Sequence, residues 1–430
     1  NMTPYEIMLS ESQERMLIIL EDGKEKEAKK IFDKWDLDFV IIGKTTDTKK
    51  LSLLFKNELV ADIPIDSLSS KAPVYKREWI KSKFPEKKTQ LKNLKKIKFE
   101  DALIKILSSA NHSNKSWITQ QYDQMVMNDT ILKSGSDAAI IKIHNKDKAI
   151  AVTVDSSANY CKAHPLTGGK QIVCESWRNL ISVGAKPIAI TNCLNFGNPE
   201  NPKIMGEFAE SIMGIKEACE YLDYPVVSGN VSFYNGTNQK NIHPTPVIGG
   251  VGLISKINLP INHLIKKENS LIILIGKTFG HLNQSVFFEE IYSLLDGPPP
   301  EINFVNEKNN GDAILKLINK KLILSAHDIS SGGAIVALAE MSMMSDYGIK
   351  IEKPKKLTNL FEYFFGEDQG RYLVEVEKSN LEKVLKTLKD NNFFNEIIGV
   401  TQKNNFELVG EFKININDLN NANNRWYYNY

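Results

Sequence analysis

Two distant segments of this chain repeat one pattern, and this repeat constrains the fold more than any other feature of the sequence. The first segment reads LSESQERML over residues 9–17, and the second reads FGEDQGRYL over residues 365–373. Each continues into a short apolar run, a lysine-rich segment of helical pattern and an Ile-Ile-Gly, with 32 positions from the glutamate to that glycine in both copies. Equal internal spacing at this length indicates that one structural unit occurs twice.

The position of each copy predicts the domain organisation. The second copy lies within a stretch long enough for a complete domain, whereas the first begins almost at Asn1. We therefore expect a longer natural parent with two A–B domain pairs, of which this chain holds the tail of the first B domain and the whole second pair. The expected boundaries are 1–80 for the C-terminal part of the first B domain, 81–99 for a linker, 100–255 for the second A domain and 256–430 for the second B domain.

Lysines dominate the expected linker. Eight of them lie between Lys81 and Lys98, a density typical of a solvated connection. The alternative interpretation is a nucleic-acid-binding patch, but no aromatic residues are interleaved in a way that supports base stacking.

The bulk composition indicates a soluble, globular protein. Of 430 residues, 42% are hydrophobic and 25% are charged, and 54 basic against 52 acidic residues leave a formal net charge of +2. This balance gives no global field for a nucleic acid or a membrane, and no apolar run reaches the roughly 18 residues of a spanning helix. The four cysteines form no CxxC pair, so we expect reduced thiols and a cytoplasmic location.

Hydrophobic periodicity predicts an α+β fold. Up to residue 255 the pattern gives amphipathic helices over a sheet of about four strands, and the rest of the chain begins a new unit of strands and helices. Strand-like apolar runs also follow both copies of the repeat, at 17–20 and 373–376. The further predicted strands are 138–143, 149–155, 186–190, 247–254, 271–275 and 322–324, and the predicted helices are 169–183, 204–221 and 334–341.

A serine- and glycine-rich turn, AHDISSGG over residues 326–333, opens the last of these helices. Free backbone N–H groups and the positive end of the helix dipole meet at such a turn, which favours a phosphate. In the alternative, Ser330 or Ser331 caps the helix and the glycines allow close packing. The sequence leaves both possibilities open.

Several longer motifs together carry a resemblance to a known family. They read DAAIIKI, GGKQIVCESWRNLISVGAKPIAITNCLNFGNPE, PVVSGNVSFYN, HPTPVIGGVG and AHDISSGG, together with the two copies of the repeat. In this order, and over nearly the whole chain, they resemble the C-terminal portion of phosphoribosylformylglycinamidine synthase, in the synthetase subunit of its small, multi-subunit form.

The resemblance implies a fold and an activity. The fold would be tandem PurM-like A and B domains, each a mixed or antiparallel sheet covered by helices, with a partial B domain at the N-terminus. The family uses ATP and Mg²⁺ to convert formylglycinamide ribonucleotide into its amidine, in de novo purine biosynthesis. It takes ammonia from a separate glutaminase subunit, and a small bridging subunit completes the complex.

The resemblance also assigns binding residues. Asn192 stands where the family often has aspartate, so it keeps an acceptor oxygen but lacks the charge. Asn235-Gly236 stands where the family commonly has Asn-Glu, and Gly236 receives no role. A strand-end turn, with Asn and Ser bonded to their own backbone, is the structural alternative for the 228–235 segment. The implied roles are substrate binding for Glu11, Ser12, Gln13 and Ser232, ATP binding for Asn192 and Gly229, and Mg²⁺ ligation for Asn230.

The remaining polar residues are interpreted as structural. In the second copy an aspartate replaces the serine of the first, so Glu367-Asp368-Gln369 is disfavoured near a substrate phosphate. His327 could titrate as a base, but a structural histidine is preferred. Structural roles are likewise expected for Asp137 and Asp155, which lie at the ends of strands. The same is expected for Glu175, which lies on a helix where surface or intradomain ion pairs are common.

No catalytic residue is assigned to this chain, because the family's catalytic histidines belong to its N-terminal half. The chain alone is therefore predicted to lack synthetase activity. Two other functions stay open: a different ATP-dependent synthetase of the PurM superfamily, similar to aminoimidazole ribonucleotide synthetase, or a non-catalytic nucleotide-binding scaffold that docks a glutaminase.

Overall fold

The computed structural model describes residues 2–11, 13–86, 88–238, 240–257, 260–354, 359–389 and 393–429. The chain divides into two compact units, Asn1–Lys76 and Arg77–Tyr430. The elements of the first unit are α1 (Pro4–Leu9), α2 (Glu25–Lys34), β1 (Lys50–Phe55), β2 (Glu58–Pro64) and α3 (Ile65–Leu68).

Local signals define the elements of the first unit. Thr3 and Glu6 form a capping box at α1, in which the Glu6 N–H donates to Thr3 Oγ1 at 3.3 Å and the Thr3 N–H donates to Glu6 Oε2 at 2.7 Å. Pro4 occupies the first helical turn, where its missing N–H costs nothing. β1 and β2 pair antiparallel around Lys56 and Asn57, whose positive φ angles of 52° and 70° match a two-residue hairpin turn.

The first half of the second unit runs to residue 254. Short 3₁₀ turns lie at Leu91–Asn93 and Val126–Asn128. The other elements are α4 (Phe99–Leu107), α5 (Ser116–Thr119), β3 (Thr130–Leu132), β4 (Ala139–Lys142), β5 (Ala149–Asp155), α6 (Ala158–Ala163), α7 (Pro165–Ser182), β6 (Lys186–Asn195), α8 (Pro202–Leu222), β7 (Val226–Ser232), β8 (Gly236–Thr237), β9 (Lys240–Asn241) and β10 (Thr245–Ile254).

Sheet I has the strand order β3-β4-β5-β10-β6-β7. β6 and β7 are parallel and joined through α8, whereas the other neighbours are antiparallel. α7 and α8 cover one face, so every second residue of β10 is buried. The opposite face is open, and Val154 on β5 is 75% exposed there. This alternation decides which side chains of β6 and β7 meet solvent.

The second half of the second unit adds a further sheet and its helices. A 3₁₀ turn lies at Lys378–Asn380. The other elements are β11 (Leu271–Ile275), α9 (Val286–Tyr292), α10 (Phe304–Asn319), β12 (Ser325–Asp328), α11 (Gly333–Ser342), β13 (Tyr347–Ile351), α12 (Leu360–Phe365), β14 (Tyr372–Val376), α13 (Leu381–Lys389), β15 (Asn395–Lys403), β16 (Asn405–Leu408), β17 (Phe412–Asn415) and α14 (Ile416–Asn429).

Sheet II has the strand order β12-β14-β11-β15-β13-β16-β17, with a parallel pair at β13 and β16. β11 is buried on both faces, which explains its unbroken apolar sequence LIILI. Ile273 and Ile275 join a core that also contains residues of α7, α8 and α10. Ile272 and Leu274 join a second core with residues of α4, α9 and α11. α7 therefore lies between sheet I and one face of sheet II.

The lysine-rich segment predicted as a solvated linker is held along the second unit. The Ile80 N–H donates to Pro202 O at 2.9 Å, and the Ser82 N–H donates to Glu210 Oε2 at 2.8 Å. A side chain on Gly206 would meet Ile80 O at 2.0 Å, so the segment crosses α8 at a glycine. Its described lysines are exposed, whereas the small and apolar residues between them make the contacts.

The predicted α+β class is confirmed, and most predicted elements are present. The strand at 271–275 is found as predicted, and the helices at 169–183 and 204–221 correspond to α7 and α8. The strand predicted at 322–324 is wrong, because Leu322 closes the turn after α10 by donating its N–H to Leu317 O. The strand itself, β12, begins at Ser325, one residue after the Leu324 N–H donates to Glu375 O on β14. Among the described residues, no strand forms at 17–20. None of the described helices combines the length and apolarity needed to span a bilayer.

Candidate functional site

β6 and β7 bring two of the motifs together at one edge of sheet I. β6 carries TNCLN and β7 carries SGNVS. Their parallel register pairs Asn192 with Gly229, Cys193 with Asn230 and Asn195 with Ser232. Since both strands run in the same direction, their carboxyl ends and the loops that follow them lie side by side.

Gly229 is required by its neighbour on β6. A Cβ atom at this position would lie 2.1 Å from Asn192 Oδ1 and 2.9 Å from Asn192 Cγ. The Asn192 side chain therefore lies over Gly229, on the face of the sheet covered by α8. There it lines a cavity of about 400 Å³ whose other walls are Ile212, Ile215, Lys216, Cys219, Glu220, Asp223, Tyr224, Pro225 and Val226.

Asn230 and Ser232 point to the opposite, open face, because side chains alternate along a strand. Asn230 is exposed, and its amide makes no hydrogen bond to any residue that the structure describes. Ser232 is half-buried and lies within hydrogen-bonding distance of Asn235. The structure thus places the predicted metal ligand and the predicted substrate donor on one face, and the Asn192 side chain on the other.

Asn235, which received no site role in the sequence analysis, organises the end of β7. Its Nδ2 donates to Phe196 O and to Ser232 O, both at 3.0 Å. The strand-end turn considered as the structural alternative is therefore present at Ser232 and Asn235, but it does not involve the Asn230 side chain. The sequence signal for this turn is an asparagine three residues after the last serine of the strand, because asparagine side chains often bond to nearby backbone groups in turns.

In the first unit, Glu11 directly follows Ser10, which caps the C-terminus of α1, and Gln13 lies two positions further on. Both side chains are exposed. Glu14 follows them with a φ of 62°, so the chain turns sharply there. Ser12 lies outside the described residues. A carboxylate and an amide open to solvent in one turn are chemically suited to bind a polar ligand.

In the equivalent triplet of the second copy Glu367 and Asp368 are buried and Gln369 is half-buried, and all three are bonded within the protein. Glu367 Oε1 accepts from the N–H groups of Val286 at 2.8 Å and Gly332 at 2.7 Å, and Glu367 Oε2 accepts from the Tyr160 hydroxyl. Asp368 accepts from the backbone N–H groups of residues 279–281. Gln369 Oε1 accepts from Arg178 at 3.2 Å. All three side chains thus act as internal ligands of the fold.

The AHDISSGG turn uses one of these contacts. α11 is capped by Gly332, in the left-handed region with φ 79°, and no serine side chain caps the helix. The alternative in which Ser330 or Ser331 caps the helix is therefore not found, because the Glu367 carboxylate takes the Gly332 N–H in that place. This helix N-terminus already has an internal anion.

A buried ionic cluster surrounds α7. Arg178, fully buried, donates to Glu307 at 3.1 Å and to Asp328 at 3.2 Å. Burial raises the pKa of Glu175 to about 8, helped by the charges of Asp155 and Asp328. Glu175 is therefore a half-buried carboxyl between the sheets and not part of a surface pair, because α7 is covered on both sides.

His327 belongs to the same interior and has a structural environment. Its Nδ1 lies 2.7 Å from Asp137 Oδ1, and its Nε2 lies 3.2 Å from Glu340 Oε2. Burial disfavours a charged imidazole, but these two carboxylates together hold the pKa of His327 well above its usual value. A histidine kept protonated by two partners is poorly suited to accept a proton as a general base.

Sequence profiles of two related domains match this chain. The profile of the "AIR synthase related protein, N-terminal domain" matches residues 135–254, and that of the "AIR synthase related protein, C-terminal domain" matches residues 1–56 and 267–410. The second profile thus matches two separate stretches, each of which contains one copy of the repeat.

The chain is also similar to a curated protein described as phosphoribosylformylglycinamidine synthase subunit PurL, from Pelagibacter ubique (strain HTCC1062). The identity is 55% over 431 residues, and the match covers 100% of this chain and 59% of that relative. The chain therefore spans less than two thirds of the relative's length.

Two solved structures that resemble the chain are described as "T. maritima PurL complexed with ATP" and "T. maritima PurL complexed with FGAR". Their TM-scores are 0.62 and 0.63, and each is 24% identical to this chain. Both matches cover 94% of this chain, and they cover 57% of the first neighbour and 55% of the second. At this identity the likeness establishes a shared fold.

Proposed function

Because this chain belongs to the PurL family of phosphoribosylformylglycinamidine synthase subunits, we propose that it supplies part of an ATP-dependent, amidine-forming synthetase of purine biosynthesis. The substrate would be formylglycinamide ribonucleotide, and the nitrogen would come from glutamine as ammonia. The observation that carries this proposal is the register of β6 and β7, which lines up Gly229, Asn230 and Ser232 along one exposed strand. The descriptions of the T. maritima structures with ATP and with FGAR support the choice of ligands.

The proposed reaction has two stages. ATP first transfers its γ-phosphoryl group to the formamide oxygen of the substrate and leaves as ADP. Ammonia then attacks the formamide carbon, and the phosphorylated oxygen leaves as phosphate, which yields the amidine. Both stages depend on holding the formamide beside the nucleotide, so orientation supplies much of the rate.

The open face of β7 would hold the phosphates and the metal. On this face Asn230 offers a free amide oxygen, the hard neutral ligand that suits Mg²⁺ already bound by phosphates. Gly229 would contact ATP through its backbone, because the space of its missing side chain lies on the other face and is taken by Asn192. Mg²⁺ would neutralise charge on the transferred phosphoryl group. Asn192 faces the cavity under α8. A contact between Asn192 and ATP therefore requires part of the nucleotide to enter that cavity.

Four residues are proposed to bind the substrate. Ser232 would donate its hydroxyl to an oxygen of the ribonucleotide. Glu11, Ser12 and Gln13 would clamp the ribose hydroxyls and the amide-bearing arm. The chain alone, without the catalytic histidines expected elsewhere, would bind ligands but not turn them over.

The test uses the longest reading frame that carries this chain, assayed with formylglycinamide ribonucleotide, ATP, Mg²⁺ and ammonium chloride. Asn230→Ala should lower kcat/KM about 10–100-fold and raise the Mg²⁺ concentration needed for half-maximal rate, as expected for a lost metal ligand. Asn421→Ala, an exposed asparagine on α14, is the matched control. Absence of amidine formation by the unaltered protein would reject the proposal, and an unchanged Mg²⁺ requirement in Asn230→Ala would reject the metal role.

Partners follow from the ammonia source. We propose that a glutaminase subunit and a small bridging subunit, similar to PurQ and PurS, complete the enzyme. Co-purification of the chain's full reading frame with these two proteins, and glutamine-dependent turnover of the mixture, would test this. Docking of the glutaminase without any nucleotide-linked turnover would favour the scaffold alternative instead.

A further inference from the structure

The Asn235 amide has a defined orientation. Its Nδ2 lies 3.0 Å from Phe196 O at the end of β6 and 3.0 Å from Ser232 O at the end of β7. Both oxygens are carbonyls and can only accept, so the nitrogen must face them and the two amide hydrogens are committed to them. The opposite orientation would place Oδ1 against two other oxygens. Asn235 therefore ties together the ends of the two strands that form the proposed site.

This orientation decides what the Ser232 hydroxyl can do. The amide hydrogen that points to Ser232 is shared between Ser232 O at 3.0 Å and Ser232 Oγ at 3.1 Å, so Asn235 also donates to the hydroxyl oxygen and holds it in place. The hydroxyl proton is left to point at Asn235 Oδ1, 3.3 Å away. That distance is long for an O–H donor, whose usual separation is about 2.7–2.8 Å. The proton is thus directed but weakly held.

We propose that Asn235 is a positioning residue, which fixes the Ser232 oxygen and leaves its proton free to move to a substrate oxygen. The inference rests on the function proposed above and adds to it a residue that would never touch the substrate. When a phosphate or ribose oxygen arrives, Ser232 exchanges a weak internal bond for a stronger one while its oxygen stays in place. Little rotamer freedom remains to be lost on binding.

A purely structural role must be separated from positioning, because the Asn235 backbone also joins the loops. Its N–H donates to Phe196 O at 3.2 Å, and its carbonyl accepts from Ile242 at 3.2 Å. Asn241 is a suitable comparator in the same loops. Its Oδ1 accepts from the Asn198 N–H at 2.9 Å and its side chain covers Gly197, and neither contact involves Ser232.

The test is a double-mutant cycle in the longest reading frame that carries this chain. Asn235→Ala should raise the KM for formylglycinamide ribonucleotide about tenfold, the effect of one hydrogen bond to a charged group. In a Ser232→Ala background the same change should alter that KM less than about twofold, because the residue acts through Ser232. Asn241→Ala should have equal effects in both backgrounds. Asn235→Asp keeps the shape and one acceptor but loses both donors, and should resemble Asn235→Ala.

Each alternative outcome contradicts a different statement. If the Asn235→Ala effect persists in Ser232→Ala, or if Asn235→Asp equals the unaltered protein, positioning through Ser232 is wrong. If Ser232→Ala leaves the KM unchanged while turnover continues, the substrate role of Ser232 and this inference both fail, but the synthetase function stands. If the unaltered protein neither binds the ribonucleotide by calorimetry nor converts it, the proposed function fails and the inference with it. Thermal midpoints of all variants show whether each one is folded.

Discussion

The two copies of the repeat share two helices but differ at two strands. α12 starts 356 positions after α1 (360 against 4), and α13 starts 356 positions after α2 (381 against 25), the same offset that relates Glu367 to Glu11. The second copy also forms β14 and β15, whereas the described residues of the first copy contain no strand at the equivalent positions. A helix completes its hydrogen bonds within its own segment, whereas a strand needs neighbours.

Burial differs in the same way. Leu373 on β14 is fully buried between β11 and β12, but its equivalent in the first copy, Leu17, is 78% exposed. Glu367 is 1% exposed and fully bonded, whereas Glu11 is open to solvent. Similar sequence therefore gives the same helices in the two copies, whereas the burial of equivalent residues depends on the elements that pack against them.

The largest expected contrast is in the apolar positions. Leu373→Ala should lower the free energy of unfolding by about 4 kcal/mol, because it leaves a cavity in a close-packed core. Leu17→Ala, the equivalent change in the first copy, should alter it by no more than about 0.5 kcal/mol, as for other exposed positions. Urea unfolding followed by tryptophan fluorescence measures both. Equal losses at the two positions would show that Leu17 is packed in solution and would remove the contrast.

The polar triplets should separate stability from binding. Glu367→Ala should cost about 3 kcal/mol of unfolding free energy, because two backbone N–H groups and the Tyr160 hydroxyl lose their acceptor in the interior. Glu11→Ala should change the unfolding free energy by no more than about 0.5 kcal/mol. It should raise the KM for formylglycinamide ribonucleotide about tenfold, because the proposed clamp loses one hydrogen-bonding group.

Steady-state kinetics of the longest reading frame and urea titrations provide the two measurements. A stable Glu367→Ala protein with impaired substrate binding would reverse the assignment of the two copies.

The helices and the polar loop of the site could be predicted from sequence, because periodicity and turn residues are local. The helix predicted at 169–183 matches α7, and a turn-forming Asn and Ser are found at the end of β7. The strand at 322–324 could not be placed correctly, since pairing with β14 selects the more polar Ser325–Asp328. The pairing of Asn192 with Gly229 could not be predicted either. A register shift between Ile190 and Thr191 changes which residues of β6 and β7 lie opposite each other.

The buried carboxyls of the second unit should make its stability depend on pH. Burial raises the pKa of Glu175 to about 8 from 4.5, so the folded state binds this proton more tightly than the unfolded state. The associated stability is fully present below about pH 4.5 and is lost as the pH rises through 8. Glu175→Gln removes this loss, so it should raise the unfolding free energy at pH 8 and change it little at pH 5. The expected gain at pH 8 is about 2 kcal/mol, roughly half of what the full shift gives, because Glu175 is only half-buried and solvent screens its charge.

Urea midpoints at the two pH values test this, and Glu21→Gln, exposed in the first unit, is the control that should show no such difference. A Glu175→Gln protein with the same pH slope as the unaltered chain would contradict the buried, protonated carboxyl. Asp155, whose pKa burial also raises, to about 7, would keep part of the slope in every variant.

The smallest contrast concerns one backbone turn that both copies share. Gly370 has a φ of 70°, and its equivalent Glu14 has a φ of 62°, so both copies need the left-handed region at the same place. A side chain there costs roughly 1–2 kcal/mol of strain, and glycine avoids it at the expense of a more flexible unfolded chain. Gly370→Ala should therefore destabilise the protein by about 1 kcal/mol, with its Cβ 3.3 Å from Glu307 Oε1. Glu14→Gly should stabilise it by about 0.5 kcal/mol, measured as a higher urea midpoint. A loss of stability in Glu14→Gly would mean that the turn after Gln13 is not left-handed in solution, and that the two copies differ in backbone as well as in burial.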